Sequence, residues 1–144
     1  MPYRPIRTIV TNQTILAAPP QTSVAKAAVL MKKSKVGAML VVQSRRLVGI
    51  FTERDALFRV VAEGRDAEST RLADVMTPNP QTIHPDKPLG YALHLMFEGG
   101  FRHMPVVEHG HPIGMVSARD SLGPELKEFV SELEIREHIA EILG

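Results

Sequence analysis

The feature that most constrains this chain is a phrase written twice. Gly49-Ile50-Phe51-Thr52-Glu53-Arg54-Asp55 and Gly114-Met115-Val116-Ser117-Ala118-Arg119-Asp120 both read glycine, two apolar residues, a hydroxyl, a variable position, arginine and aspartate. Asp120 follows Asp55 by 65 residues, and the chain laid on itself at that offset needs no gap. Pairing residues 18–57 with 83–122 gives eleven identities in 40 columns, where ordinary composition gives on the order of three. An internal duplication of this kind predicts two modules facing each other across a pseudo-twofold axis. Units of roughly 60 residues are marginal alone, so the two copies are expected to share one body.

Within each copy the hydrophobic period changes in the same order. In the first, a short apolar piece at residues 14–18 ends at Pro19-Pro20. Thr22 or Ser23 can then cap a helix carrying Val24, Ala27, Ala28 and Met31 at helical spacing. Residues 37–43 and 47–51 read as strands joined through Ser44-Arg45-Arg46, and a second helix follows Thr52 with Ala56, Leu57, Val60 and Val61 facing inward. The second copy repeats the order. Thr82-Ile83 forms the first strand, and Leu89, Ala92, Leu93 and Met96 mark the helix. Hairpin strands at 104–108 and 112–116 are joined by His109-Gly110, a good tight-turn pair.

Each unit is therefore β-α-β-β-α, with a parallel crossover and then an antiparallel hairpin. The expected fold is mixed α/β: two tandem modules at residues 8–63 and 78–122, a connection at 64–77, and a C-terminal helix within 123–144. In that tail Leu126, Phe129, Val130, Leu133, Ile139, Ile142 and Leu143 make residues 125–143 an amphipathic helix. It either packs on its own domain or docks a partner.

Thr52-x-x-Asp55 and Ser117-x-x-Asp120 both stand where a strand gives way to a helix. A hydroxyl followed three residues later by an acid is a capping box, and a helix start also offers free N–H groups and a positive dipole end to a phosphate. A carboxylate in the first turn can accept both hydroxyls of a ribose diol. The glycine three residues before each hydroxyl admits close approach of ligand or backbone. Capping and binding are compatible, and the same residues are expected to do both.

With these motifs the chain resembles the CBS-domain pair, named after cystathionine β-synthase. The resemblance rests on the doubled Gly-h-h-Thr/Ser-x-x-Asp (h, apolar), on Arg102-His103-Met104-Pro105-Val106-Val107 and on Asp74-Val75-Met76-Thr77-Pro78, and it spans about residues 8–122. It implies two modules packed sheet to sheet, with clefts that take adenosine-containing ligands. Asp55 and Asp120 would hold ribose, and Thr52 and Ser117 would hold phosphate. Backbone and apolar atoms near Ala17, Ala18 and Met39, and near Ile83, Met104 and Pro105, would frame adenine. Arg102 and His103 would reach phosphates; Arg54 and Arg119 either serve phosphate too or pair with neighbouring acids, and Lys35 stands near the first copy's site. The columns matching Arg102 and His103 are Gly37 and Ala38, so two unequal sites are expected.

Composition narrows the remaining classes. Hydrophobic content of 44% with 23% charge is ordinary for a globular domain, and a net charge of +1 gives no blanket pull toward nucleic acid or membrane. The absence of cysteine excludes disulfides, thiol catalysis and cysteine zinc sites. No apolar run approaches the roughly 18 residues of a membrane span, and the N-terminus lacks a signal-peptide core, so a cytoplasmic protein is expected. Of the six histidines, His109-x-His111 falls in the expected hairpin turn, and His84, His94 and His138 are scattered without carboxylates at ligand spacing, which gives no metal expectation. No nucleophile elbow, P-loop or dinucleotide fingerprint is present, and no catalytic residue is nominated.

The reading is a regulatory module, not an enzyme. It would bind AMP, ADP or ATP, with S-adenosylmethionine or NAD as weaker candidates, as a regulatory ligand rather than an obligatory cofactor. It is expected to form a homodimer and to signal to an unidentified protein partner, with no membrane and no nucleic acid involved. The alternative is a ligand-independent dimerisation or protein-interaction domain that uses the C-terminal helix.

Overall fold

The computed structural model describes residues 4–143, without the side chains of 122 and 124–128. Helix α1 (Ile6–Val10) precedes strand β1 (Ala17–Ala18), helix α2 (Val24–Ser34) and the hairpin β2 (Ala38–Gln43) and β3 (Arg46–Thr52). After β3 come a short helix α3 (Glu53–Asp55) and a π-helical stretch Ala56–Val61, then α4 (Leu72–Val75) and β4 (Thr77–Pro78). The second half holds α5 (Leu89–Gly99), β5 (His103–Glu108), β6 (His111–Ser117), a 3₁₀ turn Ala118–Leu122 and the long α6 (Gly123–Leu143).

The duplication is visible in the sheets. β1 runs parallel to β2 with Ala17 opposite Leu40, and β2 pairs antiparallel with β3. In the second copy the first strand shrinks to one residue: Ile83 bridges Val106 in parallel, donating to Pro105 O and accepting from Val107 N. Both hairpins shift register at equivalent places, between Val41 and Val42 and between Val106 and Val107. Both turn on two residues of positive φ, Ser44-Arg45 and His109-Gly110, the geometry that matches the twist of paired strands. Arg46, expected in the first turn, already belongs to β3.

Each core is completed by a segment from across the duplication. Leu72 and Val75 of α4 are buried with Val24, Ala27, Met31 and Phe51 of the first copy. Ile6 and Val10 of α1 are buried with Leu89, Ala92, Met96 and Val116 of the second. Backbone bonds fix both straps: Leu72 N donates to Thr22 O, Ala73 N to Pro20 O, Ile6 N to Lys87 O and Arg7 N to Pro85 O. The glycine of each repeated phrase makes room for the incoming strap. A Cβ on Gly49 would meet Met76 Sδ at 2.4 Å and Thr77 O at 3.0 Å, and one on Gly114 would meet Val10 Cγ1 at 2.6 Å. These glycines therefore serve the close approach of the straps. A third cluster of Ala38, Leu40 and Ile50, with Met115 against it, joins the two copies.

The helices depart from expectation at three points. Ala28 of α2 is exposed. Of the apolar residues expected to face inward after Thr52 only Val60 is deeply buried, while Leu57 and Val61 are exposed. The bonds there run five residues back (Ala62 N to Leu57 O, Arg65 N to Val60 O), so the wider π turn rotates the expected apolar face out of register. In α6, Phe129, Val130, Leu133, Ile135, Ile139, Ile142 and Leu143 are all exposed, so over these residues the helix does not pack on its own domain. The Leu126 side chain lies outside the described residues.

Candidate functional site

Two clefts open between the copies, and each draws its walls from both. The larger, of about 870 Å³, has Ser117, Arg119 and Asp120 on one side and Ile15, Leu16, Val36 and Gly37 on the other, with Lys32 and Lys35 at its rim. The smaller, of about 580 Å³, has Thr52, Arg54 and Asp55 facing Pro80, Gln81 and Phe101. The opposing walls correspond at the 65-residue offset: Ile15 matches Pro80, Leu16 matches Gln81 and Val36 matches Phe101. Glu53, Arg102 and His103 line both clefts. The basic pair, supplied by the second copy, thus sits between the sites and belongs to neither cleft alone.

The aspartates are fixed as the motif predicts and then diverge. Thr52 N donates to Asp55 Oδ2 at 3.0 Å while Thr52 Oγ1 accepts from Asp55 N at 3.1 Å, a reciprocal capping box. Ser117 N donates to Asp120 Oδ2 at 2.7 Å, and the Ser117 hydroxyl lies 3.4 Å from the same oxygen. Asp120 Oδ1 has no partner among the described residues. Asp55 Oδ1 faces the Thr77 hydroxyl at 3.4 Å and Arg59 Nε at 3.5 Å. Burial holds the His103 imidazole below its ordinary pKa; Glu53 opposes that shift, Arg119 and Arg102 reinforce it, and Asp120 opposes it. Arg54 reaches across to Gly100 O at 3.3 Å.

Several residues expected to frame adenine stand elsewhere. Met39 and Met104 are fully buried in the two module cores, with Ala18 in the first core and Ile83 in the second. Pro105 is also fully buried. Ala17 is exposed but lines neither cleft. Successive side chains on a strand point to opposite faces; one residue earlier, Ala38 and His103 do line clefts. The cleft walls Ile15, Leu16, Val36, Pro80, Gln81 and Phe101 escaped the sequence reading. The offset pairs them, but only the packing of the copies turns them toward the motifs.

Expected to be scattered, His84 instead meets Asp86 and Glu108, with ligand atoms within 4.8 Å of one another. Arg7 donates to both carboxylates there, so a guanidinium already supplies the positive charge.

Comparison with known proteins identifies the family. The family model for the CBS domain matches residues 6–62 and 72–120, and the chain belongs to the CBS-domain family. It is 34% identical over 115 residues to the CBS domain-containing protein YhcV of Bacillus subtilis, covering 80% of this chain and 81% of that one. It is 36% identical over 109 residues to the mitochondrial CBSX3 of Arabidopsis thaliana, covering 72% of this chain. The chain spans about half the length of CBSX3 (53%) and a fifth of CBSCBSPB1 (20%) from the same plant.

Among solved structures, a putative signal-transduction protein with CBS domains from Burkholderia ambifaria superposes with a TM-score of 0.77 at 31% identity, over 81% of this chain and 90% of that one. Two structures that share the fold at lower identity carry ligands. A CBS protein of Pyrobaculum aerophilum is complexed with AMP (23% identity, TM-score 0.74, over 81% and 89% of the two chains). The CBS pair of MJ0100 holds 5′-methylthioadenosine and S-adenosylmethionine (22% identity, TM-score 0.74, over 91% and 99%). Among the described residues no helix is long and apolar enough to cross a membrane.

Proposed function

We propose that the chain is a regulatory module that binds an adenosine nucleotide, AMP first among the candidates, in the Ser117/Asp120 cleft. The observation that carries this reading is the open Oδ1 of Asp120 in a cleft whose charged lining is Lys32, Lys35, Arg102 and Arg119 against Glu53 and Asp120. The diol of a ribose donates to Asp120. Its phosphate meets Ser117 and the surrounding cations, and adenine lies against Ile15, Leu16 and Val36. The AMP, methylthioadenosine and S-adenosylmethionine complexes of structural neighbours support the ligand class. Binding across two copies biases their relative orientation, and a homodimer and a cytoplasmic partner protein read the change.

Calorimetry and thermal shift with AMP test this. At a hundred times its dissociation constant a ligand stabilises by about 2.7 kcal/mol, several degrees in Tm for a chain of this size. Asp120→Ala removes two charge-assisted hydrogen bonds and should weaken binding at least about 100-fold, beyond what calorimetry detects, while the protein stays folded. Absence of any shift with AMP, ADP, ATP or S-adenosylmethionine at millimolar concentration would sink the reading.

The exposed apolar residues of α6 favour a second reading, an interaction domain working through that helix. Phe129→Ser with Leu133→Ser should then abolish self-association in light scattering without changing AMP binding.

A further inference from the structure

The smaller cleft carries the same motif as the larger, yet its aspartate is already spoken for. Asp55 is only 7% exposed. Its Oδ2 accepts from Thr52 N, and its Oδ1 faces both Arg59 Nε at 3.5 Å and the Thr77 hydroxyl at 3.4 Å. Arg59 uses its other end on the connecting segment, where Nη1 donates to Met76 O at 3.0 Å and lies 3.4 Å from Val75 O. One side chain thus ties the carboxylate of the cleft to the strap that closes the first core.

A ribose diol must give both hydroxyls to a carboxylate. At Asp120 one oxygen is open for this; at Asp55 the diol must displace Arg59 and Thr77. The second copy cannot build the same closure, because the columns matching Arg59 and Thr77 are Pro124 and Asn12, and proline has no donor. Arg59 stands four residues beyond Asp55, the spacing that brings two side chains onto one helical face.

We propose that Arg59 is a latch that shuts the Thr52/Asp55 cleft to ribose, so that the chain takes one adenosine nucleotide rather than two. This rests on the function proposed above and assigns its stoichiometry and its route to the rest of the fold. Drawing Arg59 off Asp55 also takes its donor from the carbonyls of Val75 and Met76. Occupation of the smaller cleft therefore loosens the α4–β4 strap, and the latch couples that cleft to the connection between the copies. Arg59 acts as a positioning residue, through Asp55.

The test is AMP calorimetry on the full chain, with the fold of each variant checked by circular dichroism. Wild type should bind one AMP, and Asp120→Ala should remove it. Arg59→Ala should add a second binding event at least fivefold tighter than any second event in wild type. Arg59→Ala combined with Asp120→Ala should bind one AMP where Asp120→Ala alone binds none. Thr77→Val should shift the second event in the same direction by less, which a mere loss of stability would not do. Two equal sites in wild type, or an Arg59→Ala protein that still binds one AMP or binds it more weakly, overturn the latch and leave the larger cleft standing. No binding by any variant removes both.

Discussion

The two clefts are built from one backbone plan, and four pairs of side chains set their chemistry apart. Glu53 N donates to Gly37 O at 2.9 Å, and Ala118 N donates to Arg102 O at 2.9 Å, so the strand-to-helix corners superpose in kind. At that corner one copy supplies Gly37 and Ala38 and the other Arg102 and His103; behind the aspartates, Arg59 and Thr77 of one copy stand against Pro124 and Asn12. Duplication preserves what main-chain hydrogen bonds enforce. Charge and donor placement diverge, because they rest on side chains that the backbone plan leaves unspecified. The result is one cleft with an open carboxylate oxygen and one whose carboxylate is held.

The sharpest way to separate the clefts is through the straps behind them. Gly114→Ala drives a Cβ onto Val10 Cβ at 2.7 Å, on a buried helix that leads into Ile15 and Leu16 of the larger cleft. It should destabilise by about 2 kcal/mol in urea unfolding and weaken AMP with it. Gly49→Ala meets the flexible end of Met76 at 2.4 Å and backbone, Thr77 O, only at 3.0 Å, so it should cost less and leave AMP affinity unchanged; equal effects would erase the distinction.

Arg102 touches both clefts, so Arg102→Ala should weaken AMP about tenfold in wild type. In the Arg59→Ala background it should weaken both binding events, and a loss confined to one would assign Arg102 to that cleft alone.

The smallest effect is on pH. His103 has its folded pKa lowered, chiefly by burial. The unfolded chain therefore binds the proton more readily, and stability falls as pH drops from the ordinary histidine range toward the folded value. His103→Gln should flatten that slope in melts taken across mildly acidic pH.

Much of this was legible in the residues. The repeated phrase, the hairpin turn at His109-Gly110 and the Thr52/Asp55 and Ser117/Asp120 boxes follow from local rules of capping and turn geometry. The side chains of Met39 and Met104 turn into the cores, and a strand's apolar run does not say which face meets the core and which the cleft. Leu57 and Val61 were misplaced because a π turn leaves no distinct composition. Arg7, His84, Asp86 and Glu108 gave no signal, since their meeting joins three separate parts of the chain.

The sequence alone determined the duplication, the order of elements and the two motif aspartates, because each depends on neighbours a few residues away. Tertiary structure decided which wall faces which aspartate, that Arg102 and His103 stand between the clefts, and that α1 and α4 cross over to close the opposite cores. Contacts such as Gln13 with the Met115 backbone, where its side-chain amide donates to Met115 O and accepts from Met115 N, span 102 residues. Local pattern carries no record of such a partner; the docking of one copy on the other creates it.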